Sequence, residues 1–305
     1  MRKPVAHISV DLDPIDTHLA GYGIASAPCD LIYRAGVPRI LEVLDRVGLR
    51  ATLFVVARDA EREASLWQDI VGRGHELASH SVTHPIPFAT LPRDVVRREL
   101  CESRARLEAV VGRPIVGFRA PGWDVDQTTL GEIARAGYLY DASVLPSPAV
   151  LAGAVLRWVL SAGRMRSESL TRTLRFVFSR RLPYRLAGAG NVWEFPVAVS
   201  PWLRVPFTHT LWHLVPASVC RRTYRAIRRA GASLCYQFHP VDLLDLEGDR
   251  VDPRMARHPG MRAPLARKTA LLEGFLREIA RDYEVVPYAD VVAANRERAA
   301  SAVVA

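Results

Sequence analysis

Short apolar runs alternate with amphipathic stretches along most of this chain, and that alternation restricts the fold more than any other feature. Strand-like runs occur at 5–10, 51–57, 115–118, 192–197, 232–238 and 284–287. Between them apolar residues recur at helical spacing. Ile40, Leu41, Val43, Leu44 and Val47 lead to Gly48; Val95, Leu100, Leu107 and Val110 precede Gly112; Ile133 and Ala134 precede Gly137; Leu271, Phe275, Leu276 and Ile279 make a late set. Glycine just past such a stretch ends a helix, because it takes the left-handed conformation without a Cβ penalty. Strands alternating with helices in this way predict an α/β architecture with a mainly parallel sheet.

Side chains able to do chemistry fall where the strand-like runs finish. Asp11 and Asp13 close the first, His80 follows Glu76-Leu77-Ala78, and Arg119 follows Val116-Gly117-Phe118. Asp141 ends Leu139-Tyr140, Glu194 sits in a short run, and His239 ends 232–238. The carboxyl ends of parallel barrel strands form one active face, so a pattern spread over six segments points to one site.

Within that set His80-Ser81-Val82-Thr83-His84 carries the most weight. Two imidazoles plus one carboxylate from Asp11 or Asp13 make three ligands for a divalent cation and leave a position for water, as catalytic zinc sites do. These nitrogen and oxygen donors suit Zn²⁺, and Co²⁺, Mn²⁺ or Ni²⁺ can take the same ligands. Alone, a His-x-x-x-His pair is as often two packed histidines on a helical face. Glu76 or a backbone carbonyl is expected to orient an imidazole from behind. A turn at Pro14 is expected to separate the two carboxylates, so that one ligates and the other stands free. Arg119, beside Ala120-Pro121-Gly122, is expected to point inward and hold Asp11 ionised. His239, before Pro240, is a candidate proton donor. Pro121, Trp123, Asp141, Ser143 and Glu194 are further candidates for the substrate site, although Asp141, Ser143 and Glu194 also suit turn and core positions.

At 305 residues the chain has room for two small domains, but barrels of this length commonly fold as one unit. One domain is therefore expected over 1–298, with residues 299–305 as a disordered tail. Residues from about 147 to 190 break the rhythm. There, apolar side chains interleave with Arg157, Arg164, Arg166, Arg172, Arg175, Arg180, Arg181 and Arg185, and Glu168 is the single acid of 150–186. This reads as a basic amphipathic insertion, either a lid on the barrel or a contact for an anionic membrane surface. The net charge of +9 implies an acidic partner, such as a phosphate-bearing substrate or anionic lipid; no nucleic-acid-binding motif accompanies it. Cys29, Cys101, Cys220 and Cys235 show no paired spacing and read as reduced thiols. The first strand begins almost at Met1, and no apolar stretch reaches membrane-span length, so a cytoplasmic location is expected, peripheral to the inner face of the cell membrane if the insertion contacts lipid.

Taken together these residues resemble the polysaccharide deacetylases with a NodB-homology domain, carbohydrate esterase family four. The resemblance covers roughly 5–143 and returns at 193–242. It rests on His80-Ser81-Val82-Thr83-His84, the lead-in Gly74-His75-Glu76-Leu77-Ala78-Ser79, and the second strand Ala51-Thr52-Leu53-Phe54-Val55. What it implies is a distorted (β/α) barrel with fewer than eight repeats and a metal-dependent amide hydrolase removing an N-acyl group, most readily acetyl, from an amino sugar. By resemblance Asp13, His80 and His84 hold the metal, Asp11 is the general base, Arg119 orients Asp11, and His239 is the general acid. The family's adjacent acidic pair is here Asp11-Leu12-Asp13, closer to branches acting on small or lipid-linked molecules. With no export signal, the expected substrate is a precursor: a polyprenyl-linked amino sugar, a glycolipid or a soluble glycoside. Two rivals are a deformylase or non-sugar amide hydrolase of the same fold, and a catalytically silent saccharide- or lipid-binding module.

Overall fold

The computed structural model describes residues 3–148, 176–188 and 191–304. Its centre is one curled sheet built from strands β1 (Val5–Leu12), β2 (Thr52–Val55), β3 (Glu76–Ser79), β4 (Gly117–Phe118), β5 (Tyr140–Asp141), β6 (Tyr184–Arg185), β7 (Trp193–Glu194), β8 (Leu234–Phe238) and β9 (Glu284–Val285). The spatial order is β6-β7-β5-β4-β3-β2-β1-β8. Ala6 pairs with both Leu234 and Val285, so β9 takes the edge of β1 that β2 takes further along. Every pairing is parallel except β6 with β7. The expected α/β barrel-like class is what forms, with β2, β4, β7, β8 and β9 each shorter than its apolar run.

Helices pack on the convex side where the sequence placed them. The helix Val37–Val47 buries Ile40, Leu41, Val43 and Leu44 and ends at Gly48, whose φ of 68° is the left-handed cap its position called for. Arg93–Val111 ends likewise at Gly112, and Leu265–Asp282 buries Leu272, Phe275, Leu276 and Ile279. A separate cluster fills the concave side: Phe54, Ala78, Tyr140, Ala142, Phe195, Cys235, Tyr288 and Val292. The last helix, Tyr288–Val304, supplies Tyr288 and Val292 and thereby plugs the curl. That helix runs on to Val304, through the stretch expected as a tail. Gly117 has no substitute in β4, because the Tyr140 ring occupies the place its Cβ would need, with Cζ 1.9 Å from that point.

Most of the basic insertion expected over 147–190 lies outside the described residues. Its described part, 176–188, includes β6. Among the described residues no helix is long and apolar enough to cross a membrane.

Candidate active site

Parallel pairing brings the carboxyl ends of β1, β3, β4 and β8 to one edge. In register, Asp11 lies opposite Phe54, Val55 opposite Ser79, Ser79 opposite Phe118, and Val10 opposite Phe238. The residues just past those ends are Asp13, His80, Arg119 and His239. Asp13, His80 and His239, with Asp11, His84, Gln237, Thr17, His18 and Tyr22, line a cavity of about 260 Å³, and Arg119 stands behind Asp11.

The expectation that a turn separates Asp11 from Asp13 is corrected. β1 runs to Leu12, and Pro14 interrupts the chain only after Asp13, just before the helix Ile15–Gly21. Residues two apart on an extended chain project to the same face, so both carboxylates enter the cavity. Their surroundings then differentiate them. Asp11 Oδ1 accepts from Arg119 Nη1 at 2.5 Å and its Oδ2 from Gln237 Nε2 at 2.5 Å. Asp13 Oδ1 instead lies 3.2 Å from His80 Nε2 and 3.3 Å from His84 Nε2. Burial pushes the Asp13 carboxyl up, but His84 and His80 outweigh it and hold the group well below the usual carboxylate range. The His80 imidazole is shifted the other way: burial lowers it, and Asp13, Asp11 and the Arg119 carbonyl together raise it by more.

The two imidazoles do not share a helix. His80–His84 is a tight loop in which Ser81 and His84 have positive φ, 66° and 58°, an uncommon conformation for non-glycine residues that marks functional sites. The motif's other side chains build that loop. Ser81 Oγ accepts from the His84 N–H at 3.0 Å. Thr83 Oγ1 donates to Glu99 at 2.7 Å, and Glu99 also accepts the N–H groups of Val82 and Thr83 at 2.7 and 3.0 Å. His80 Nδ1 meets the Arg119 carbonyl at 2.6 Å, which turns Nε2 toward Asp13. Of the two orienting groups expected, the backbone carbonyl is the one present. Glu76 points elsewhere, accepting from Thr52, Tyr140 and Ala289, because it begins β3 whereas His80 follows its end.

Arg119 is buried and committed on every side. It donates to Ala142 O at 2.9 Å, Ser9 Oγ at 3.1 Å, Asp11, and the Tyr288 hydroxyl at 3.4 Å, and it lies over the Phe54 ring at 4.1 Å. Burial opposes its charge, but Asp11 holds its pKa above the ordinary arginine value. Trp123 lines the cavity and donates to Gln237 Oε1 at 3.1 Å, which fixes the amide with its nitrogen toward Asp11. His239 Nε2 stands 3.8 Å from Asp13 Oδ2, and its ring Nδ1 is buried with no hydrogen-bond partner. Its backbone N–H donates to Asp242, whose carboxyl is held low despite burial by His209 and His239.

Four other candidates lie behind the cavity wall. Asp141, Ser143 and Glu194 are buried, and none of them lines the cavity; Pro121 is buried beside it. Asp141, Ser143 and Glu194, expected in the substrate site, instead lie beneath the 119–121 turn, to which Pro121 itself belongs. Ser143 Oγ accepts from the Ala120 N–H at 2.8 Å and donates to Asp141 at 2.6 Å, while Glu194 accepts from the Val144 N–H at 3.0 Å. Burial and the neighbouring Asp141 push the Glu194 carboxyl well above its usual range.

Sequence reasoning missed Gln237, Glu99, and the opposite cavity wall formed by His18, Tyr22 and His258. The His18 ring lies 5.5 Å from His239 and 5.2 Å from His258, and burial pushes its pKa down to about 3. Gln237 had a usable signal. It is a lone amide in an apolar strand, two residues before His239 and hence on the same face.

The donor set fits a divalent cation. Asp13, His80 and His84 present ligand atoms all within 4.8 Å of one another, and among the described residues they are the group that could hold one. Asp13 Oδ1 and His84 Nε2 are buried without hydrogen-bond partners, an arrangement costly unless something else satisfies them.

A family model described as "Polysaccharide deacetylase" matches residues 27–140. That span holds the His80–His84 loop and Arg119, starting after Asp13 and ending before Gln237. A peptidoglycan deacetylase-like protein of Gibberella zeae is 32% identical over 45% of this chain and 43% of its own length. A peptidoglycan deacetylase of Helicobacter pylori is 27% identical over 45% of this chain and 48% of its own. The matches thus span about half the length of these curated relatives. Among solved structures, that of a polysaccharide deacetylase homologue from Mycobacterium smegmatis superposes with a TM-score of 0.62, covering 98% of this chain and 92% of the other at 21% identity, a likeness of fold.

Proposed function

We propose that this chain is a member of the polysaccharide deacetylase family that hydrolyses the N-acyl amide of an acylated amino sugar, releasing the acyl group as a carboxylic acid. The observation that carries this reading is one cavity holding two differently arranged carboxylates and a histidine whose Nε2 faces both Gln237 and Asp13. Asp13 sits against two imidazoles, while Asp11, two residues earlier, is paired with Arg119 and lies farther from His80, at 3.9 Å.

Asp13, His80 and His84 would hold the cation, which when bound polarises an acyl carbonyl and acidifies water. Zn²⁺ suits this donor set best. Asp11 accepts the proton of the attacking water as its oxygen bonds to the acyl carbon. Arg119 and Gln237 keep that carboxylate aimed, each through a single hydrogen bond. The C–N bond then breaks, and His239 supplies the proton that the departing amine nitrogen needs. Trp123 and the His18–His258 wall enclose the sugar.

The substrate we favour is lipid-linked, an amino sugar on a polyprenyl or glycolipid carrier. The separated Asp-x-Asp and the chain's basic character support it. The test is mass spectrometry of extracted lipid-linked glycans and of soluble acylated amino sugars after incubation with metal-loaded protein. Asp11→Asn and His84→Ala are each expected to abolish deacylation, by at least about a thousandfold given what a general base and a metal ligand supply. Both should melt as the parent does. Full activity in either variant removes the mechanism, and saccharide binding without turnover by the parent would favour a silent module.

A further inference from the structure

Away from the cavity, one surface combines features rarely left to water. A short loop is closed by Ser200 N donating to Val205 O at 2.9 Å and by the bridge between Val199 and Pro206. Its tip exposes Trp202 by 90% and Leu203 by 76%. Arg204, at a φ of 51°, turns back and donates to the carbonyls of Val177 and Ser179 at 2.8 and 2.9 Å. That fastens the 176–182 segment beside the tip, and the segment adds Phe178, 79% exposed, and Leu182. Neither 176–188 nor 199–206 contains an Asp or Glu, whereas Arg180, Arg181, Arg185 and Arg204 all fall within them.

We infer that this face docks on an anionic lipid bilayer, with Trp202, Leu203 and Phe178 entering the headgroup–acyl boundary and Arg180 and Arg185 meeting lipid phosphates. Tryptophan at a loop tip suits that boundary, since its ring is apolar and its N–H remains hydrated. Arginine beside it suits phosphate. Charge argues against a second copy of the chain as occupant, because a self-contact would bring the cations of both copies together with no acid in either segment. The docking face also adjoins the cavity. Val197 and Val199 at the loop's base pack with Leu145, Trp123 packs against them, and Trp123 lines the cavity. A bilayer held at this face is therefore next to the cavity mouth, which deepens the lipid-linked substrate reading. That last step rests on the proposed deacylation, whereas the docking does not.

The experiment is co-sedimentation of the full chain with phosphatidylcholine vesicles, with and without phosphatidylglycerol, alongside deacylation of a soluble acylated amino sugar. The parent is expected to bind the anionic vesicles alone, and Trp202→Ser/Leu203→Ser to reduce binding by about tenfold or more, as loss of two interfacial anchors should. Arg180→Gln/Arg185→Gln is expected to weaken it severalfold and flatten its salt dependence. Soluble turnover should stay as in the parent for both variants. No binding by the parent overturns the proposal, as does equal binding by the Trp202/Leu203 variant. So does a parent dimer, seen by light scattering, that this variant converts to monomer. Vesicle binding that follows the expected pattern in a protein inactive on every acylated sugar upholds the docking and removes the catalytic reading.

Discussion

Arg119 shows how much a single residue can carry at this site. Its guanidinium is buried and its donors are divided among one backbone carbonyl, the hydroxyls of Ser9 and Tyr288, and Asp11. Arg119→Met leaves Asp11 charged and buried without its partner, and should cost roughly 3–5 kcal/mol of stability. Arg119→Lys retains the charge but not the planar fork, so it should fold while lowering kcat, leaving KM nearly unchanged. Urea unfolding and steady-state kinetics on the two variants check this. The sequence made Asp11, Asp13, His80, Arg119 and His239 candidates because each stands at the end of an apolar run, and His84 through its spacing from His80. It left His18 and His258 hidden, because each is a lone histidine in a segment without period or motif. Only folding sets one beside the other.

At the scale of elements, the loop 81–84 depends on a helix that contributes nothing to the cavity. Glu99, in the middle of Arg93–Val111, receives three hydrogen bonds from Val82 and Thr83. Glu99→Ala should release the loop that presents His84, lowering Zn²⁺ affinity by about 10–100-fold while Asp13 and His80 remain in place. Calorimetric titration of metal into the apo-variant measures this, and the thermal midpoint should fall only modestly. Nothing in the sequence marks Glu99, which reads as one more acid on an amphipathic helix. The helix ends were legible for the opposite reason, since Gly48 and Gly112 carry the left-handed caps that their positions require. Strand lengths were not legible. The four-residue run 115–118 yields only Gly117–Phe118, and the six-residue run 192–197 only Trp193–Glu194.

For the whole molecule, buried histidines outside the cavity set the response to acid. Burial pushes His7 and His209 down to about 4. The unfolded chain titrates these groups near 6.5, so it takes up protons that the folded state refuses. Stability is full above pH 6.5 and is lost as the pH falls toward 4, at up to about 3 kcal/mol for each group. Glu76 acts in the opposite direction. Burial raises it to about 7, so its contribution is present at low pH and is lost as pH rises from the ordinary carboxylate range through 7. Thermal melts between pH 7.5 and 5 should show a falling midpoint, shallower in His7→Gln and steeper in Glu76→Gln. A midpoint flat across that range would show that these side chains are reached by water.

The order of strands across the sheet has a further consequence for biosynthesis. A nascent chain released as far as residue 148 already carries Asp13, His80, His84 and Arg119, yet Gln237 and His239 wait on β8, which joins β1 from almost a hundred residues later. On the proposed roles, the residues for holding a cation are therefore synthesised well before those for delivering a proton.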